Sequence, residues 1–217
     1  MKKRSLVHDC LPLWAFIFLA GLSTLALAQG GPECPAVISS LMPGNAVKVT
    51  CQYTSAGIVG IGSATADLPF KNICANQVTP NPGKITYDLK HYAGEAIEMF
   101  KMQIGPEEQQ RTQSRLAEFE KKYQQLKSAQ NPQLVSLSPL KTEAVTGGSI
   151  SYFDYETDCS EGEKRSKPTV YLHAVGHNDS TAINIEVSGN ISADAAKTAA
   201  TEVLKNFAKA NFTTLDK

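Results

Sequence analysis

The chain has 217 residues, 21 basic and 21 acidic side chains, 42% hydrophobic and 19% charged residues, and one Trp. A charge balance of this kind provides no dense basic face, so it gives no electrostatic basis for binding nucleic acid or an anionic membrane surface. The length accommodates a leader and one domain of ordinary size.

The N-terminus reads as a leader. Lys2, Lys3 and Arg4 form a basic head, and Leu11 to Ala28 is almost wholly apolar apart from Ser23 and Thr24. The stretch ends in Ala26-Leu27-Ala28, whose small first and third side chains fit a signal peptidase cleft, so the pattern predicts a signal peptide over 1–28 and a mature domain over 29–217. An uncleaved anchor is the alternative, because roughly 18 apolar residues is the lower edge of a membrane span. Gly21 and the A-x-A site favour processing, which leaves no membrane span and places the product in a periplasm or outside the cell. Losing Lys2, Lys3, Arg4 and Asp9 takes the basic and acidic counts from 21 and 21 to 18 and 20, and the only Trp, Trp14, leaves as well.

Four cysteines remain, Cys34, Cys51, Cys74 and Cys159, an even set for an oxidising compartment. Two disulfides are expected. Four cysteines allow three pairings; the preferred ones join Cys34 to Cys51 or Cys74 and the remaining one to Cys159, since only a long bridge reaches the last. No C-x-x-C pair supports a zinc site.

In chain order, Pro35 to Leu41 predicts a short helix with Pro43-Gly44 as its stop. From Ala46, Val47, Val49, Cys51 and Tyr53 alternate with Lys48, Thr50 and Gln52, which predicts a half-buried strand. Ser55 to Ala66 is rich in Gly, Ala and Ser, and Gly57 to Ser63 within it reads as a flexible or closely packed strand connection. Its glycines in Gly57-Ile58-Val59-Gly60-Ile61-Gly62 lack both the P-loop Lys and the dinucleotide spacing. Ile85, Tyr87 and Leu89 predict a second strand. Gly94 to Ile104 leans to a strand, after which Pro106 opens a helix to about Ser128 with the stripe Leu116, Phe119, Tyr123 and Leu126. Asn131 to Gly148 reads as a link between two halves. Strands follow at Ile150–Glu156, Val170–Ala174 and Ile183–Val187, the last two joined by a loop over 176–180. Ser192 then caps a helix to about Lys209 that buries Ala196, Ala199, Ala200, Val203, Leu204 and Phe207.

These elements predict an α+β fold, mainly antiparallel sheet with two packing helices. The rhythm of strands followed by one helix occurs twice, over 46–129 and 148–210. A duplicated β-β-α unit and coincidence both account for it.

Candidate chemistry is sparse. His173 and His177 have H-x-x-x-H spacing, but they fall in a strand and its loop rather than on one helical face, and no Glu follows His173. Asp154, Glu156 and Asp158 alternate, so their carboxylates share one face of a strand and could attract a divalent cation; an exposed, charged edge strand is the ordinary alternative. No G-x-S-x-G occurs. Asn178, Asn190 and Asn211 head glycosylation sequons that matter only in a eukaryotic source. The resulting expectation is an exported, non-catalytic envelope or secreted domain that binds a protein or small ligand and carries no cofactor. The alternative is a secreted hydrolase-type enzyme or divalent-metal binder using His173, His177 and the Asp154 to Asp158 carboxylates.

Overall fold

The computed structural model describes residues 34–69, 74, 82–129, 133–159 and 165–216, so the leader over 1–28 lies outside the described residues. Period-two alternation carries most of the chain into one sheet. Its strands are β1 (Val47–Ala56), β2 (Val59–Leu68), β3 (Gly83–Tyr92), β4 (Leu134–Leu137), β5 (Lys141–Val145), β6 (Gly148–Asp158), β7 (Ser166–His177) and β8 (Thr181–Gly189). Their order is β1-β2-β3-β8-β7-β6-β4, with β5 also paired to β6, and every pairing between named strands is antiparallel. The helices are α1 (Ala36–Ser39), α2 (Ala96–Ser128) and α3 (Ala193–Lys209), followed by a 3-10 turn over Phe212–Leu215. The fold is α+β with a mainly antiparallel sheet.

One sheet face makes the core. Ile85, Tyr87 and Leu89 of β3, Ile183, Ile185 and Val187 of β8, and Val170, Leu172 and Ala174 of β7 are buried against α3. The six apolar residues expected on α3 are the ones it buries, and the Ser192 hydroxyl caps it by accepting from the Ala195 amide. Five of the six lie at i, i+3, i+4, i+7 and i+8 from Ala196, the spacing that gathers side chains on one helical face. At the other end of the same face Ile38 of α1 is fully buried, and the Tyr87 phenol donates to the Ile38 carbonyl.

Several elements differ from the pattern read in the sequence. Gly57 to Ser63 is a connection only at Gly57-Ile58, because β2 begins at Val59. Gly57 takes a φ of +66° in the two-residue loop Gly57-Ile58 between paired Ala56 and Val59, and glycine enters that region without steric cost. Gly60 and Gly62 face Tyr53 and Ile38 so closely that a Cβ at Gly60 would lie 1.9 Å from the Tyr53 hydroxyl. Small residues make this strand fit, and they also hide its alternation.

Gly94 to Ile104 is helical rather than extended, since α2 begins at Ala96 and runs through Pro106. Among the described side chains of this stretch Ala96 and Phe100 are the buried ones, at helical spacing i and i+4, whereas Met102 is exposed, so the alternation of Phe100 and Met102 does not mark a strand. The link over 131–148 contains β4 and β5, which pair with β6. Consequently β6, which carries Asp154, Glu156 and Asp158, is an interior strand and not an edge. Val47 and Val49, expected on a half-buried face, stay exposed because β1 is the edge and its register slips at Lys48 (φ 54°).

Candidate functional site

Cys34 is joined to Cys51 and Cys74 to Cys159, with Cα separations of 5.6 and 5.4 Å. The first bridge fastens the segment before α1 to the edge strand β1, and the second ties Cys74, which lies between β2 and β3 in the chain, to Cys159 just after β6. Two disulfides are compatible with an exported protein. Among the described residues, no helix is long and apolar enough to cross a membrane.

The histidines and carboxylates singled out in the sequence do not converge. His173 pairs with Ser151 of β6 and Glu186 of β8 on the sheet face opposite α3. Asp154 pairs with Val170, so it, Glu156 and Asp158 alternate toward the α3 face instead. His177 is exposed at the end of β7, about 13 Å along the strand from His173 at four residues' rise. Glu156 accepts a hydrogen bond from the Ser166 hydroxyl at 2.8 Å. Among the described residues, no group of three or more His, Cys, Asp or Glu side chains is placed to hold a metal ion.

Three other groupings emerge only from the fold. The first lies beneath α2, where His173 is buried and its Nε2 has no hydrogen-bond partner among the described residues. Phe119 of α2 lies 6.0 Å from its ring and 6.1 Å from that of Phe153, centroid to centroid. Tyr123 meets Phe153 edge-on at 5.6 Å, and Tyr171 and Tyr155 extend the aromatic run. Arg115 of α2 pairs with Glu186 at 2.8 Å. Burial, reinforced by the Arg115 charge, brings the His173 pKa down to about 4, because both disfavour the imidazolium.

The second grouping is a relay of Asp216, His91 and Thr181. Asp216 Oδ1 lies 2.8 Å from His91 Nε2, and His91 Nδ1 lies 2.9 Å from the Thr181 hydroxyl. It has the residue types of a nucleophile triad. Its hydroxyl, however, is fully buried, and no substrate reaches a nucleophile in that position. The relay fastens the C-terminal turn to β3 and β8. The continuation of the Ile85, Tyr87, Leu89 alternation to His91 was its signal in the sequence; nothing there pointed to Asp216.

In the third, Lys197 of α3 pairs with Glu143 of β5 at 2.8 Å, and the Tyr152 hydroxyl donates to Glu143, also at 2.8 Å. The Glu143 hydrogen bond raises the Lys197 pKa, and burial chiefly raises that of Tyr152. Both shifts run opposite to those that would ready a lysine or tyrosine to act as a base near neutrality.

The β1–β2 hairpin stands at one end of the sheet. Among the described residues β1 has a strand on one side only. No charged residue occurs between Lys48 and Asp67, and those two form an ion pair at 3.0 Å. Val47, Val49, Ile58 and Ile61 are exposed on the same hairpin. Comparison with protein-family models, with curated proteins and with solved structures gave no match to this chain.

Proposed function

We propose that the mature chain is an exported, non-catalytic domain that binds a protein partner along the edge strand β1. The observation that carries this reading is the uncharged edge from Val49 to Ala56, flanked by exposed Val47 and by Ile58 and Ile61 of the same hairpin. Sheet edges left flat and uncharged are templates for a further strand, and chains that avoid such pairing usually place lysines or prolines there. An extended partner segment would add main-chain hydrogen bonds to β1, with affinity supplied by the backbone and selectivity by alternate side chains. Export is supported by the leader pattern and by the two disulfides.

The test is photo-cross-linking in the producing cells. A photoreactive residue at Gln52 or Thr54 is expected to capture a discrete partner, whereas one at Thr201 on α3 captures none. Lysine at the neighbouring edge position abolishes the adduct without changing secretion. Equal cross-linking from α3, or adducts indifferent to the added charge, would remove β1 as the binding edge.

A further inference from the structure

Helix α2 is held unevenly. It spans 33 residues, about 50 Å at 1.5 Å per residue. Near its start Ala96 and Phe100 are buried, and Phe100 packs against Tyr92 and Ala182. From Lys101 to Ser128 none of the described side chains is buried; the stripe of Arg115, Leu116, Phe119, Tyr123 and Leu126 is only half-buried. Between the two parts stands Pro106, which cannot donate to the helix ladder and crowds the preceding turn, so it is the natural point of flexure.

What this shallow segment covers is unusual for a sheet face. Phe153 is fully buried and His173 is 2% exposed, with its Nε2 unpartnered among the described residues. A buried polar atom without a partner costs free energy comparable to a lost hydrogen bond, and the cost vanishes once water reaches it. The ionic tie between the second part of α2 and the sheet is also solvent-accessible, since Arg115 and Glu186 are 43% and 49% exposed.

We propose that the part of α2 beyond Pro106 is an acid-released strap, closed over Phe153, Tyr171 and the neutral His173 imidazole, and lifted from the sheet when that imidazole takes up a proton. The charged groups facing His173 decide the sign. Arg115 approaches from α2, Glu186 is its register partner on β8, and β6 offers only the uncharged Ser151. Glu186 is engaged by Arg115 at 2.8 Å, and Arg115 also meets Glu118 at 3.4 Å. Lys122 stands over the Tyr171 ring at 5.2 Å from its centroid, adding positive charge on the helix side. An imidazolium formed in the closed state is therefore both desolvated and beside a cation. Its pKa is about 4 when covered, against 6.5 when free. Protons thus favour the open strap as pH falls from the free value toward the covered one.

Hydrogen–deuterium exchange of the 113–128 segment tests this, corrected for the intrinsic pH dependence of exchange. Between about pH 7 and pH 4.5 the two pKa values predict a rise of about sixty-fold in the open population of α2, with α3 remaining protected. His173→Phe, which fills the site without a titrating group, abolishes the rise. In the wild-type chain, an NMR titration is expected to show the His173 ring protonating together with the loss of protection in α2. Loss of protection in α2 and α3 together, no acid response, or a response unchanged in His173→Phe would each overturn the proposal.

Discussion

His173 and Tyr87 show how differently two buried polar side chains are treated in this molecule. Tyr87 sits deep in the core, where burial pushes its phenol pKa up, yet its hydroxyl donates to the Ile38 carbonyl and so ties α1 to the sheet. Removing that donor leaves a buried carbonyl unpaired. Tyr87→Phe is expected to cost about 1–3 kcal/mol, measured by chemical denaturation with an unchanged denaturant slope; a loss of a few tenths or less would mean that water satisfies Ile38 instead. His173 has no such relief at Nε2. Part of this contrast was legible in the sequence, because Tyr87 lies in an alternating apolar run. The isolation of His173 was not, since it depends on Phe119 and Arg115 arriving from a helix more than 50 residues earlier in the chain. The carboxylates of Asp154, Glu156 and Asp158 were equally legible as one alternating face. That their face is the one opposite His173 follows only from the β6–β7 register.

Helices α2 and α3 differ in how their sequences were readable, and for the same reason they differ in energy. In α3 the apolar residues recur at helical spacing and all six expected positions are buried. Helix α2 has a narrow stripe, an internal proline and charged residues on most of its turns, so periodicity revealed its second part and not its first. Deleting a fully buried leucine costs about 2–5 kcal/mol, including the cavity left behind. Leu204→Ala on α3 is accordingly expected to fall in that range, while Leu116→Ala on half-buried α2 loses less than about 1 kcal/mol. Equal losses in thermal or denaturant unfolding would show that α2 is seated as firmly as α3. The strand β2 was missed for a further reason. Its glycines make room for Tyr53 and Ile38, and a strand whose inward residues are Gly and Ala presents almost no hydrophobic alternation.

On the scale of the whole molecule, two antiparallel meanders, β1-β2-β3 and β6-β7-β8, meet through the β3–β8 pair, and each runs on into a long helix. This is the repeated rhythm visible in the sequence. The helices nevertheless lie on opposite faces of the sheet: α3 packs on the side of Tyr87 and Leu172, and α2 on the side of Phe153 and His173. A two-fold axis normal to the sheet would place both on one face, so the rhythm alone does not establish duplication. The α+β class was readable because strand runs, rather than strict strand–helix alternation, dominate the chain. The edge position of β1 was not, since strand order depends on pairings remote in sequence. The disulfides join these elements to the proposal of export: Cys34 to Cys51 at the open edge, and Cys74 to Cys159 across a separation of 85 residues. Intact-mass analysis of the chain recovered from each compartment of the producing cell, with and without reduction before alkylation, bears on that proposal most directly. The expected result is an extracytoplasmic species beginning at Gln29, with four cysteine sulfurs that become alkylatable only after reduction. A cytosolic species that still begins at Met1 and alkylates fully without reductant would contradict it.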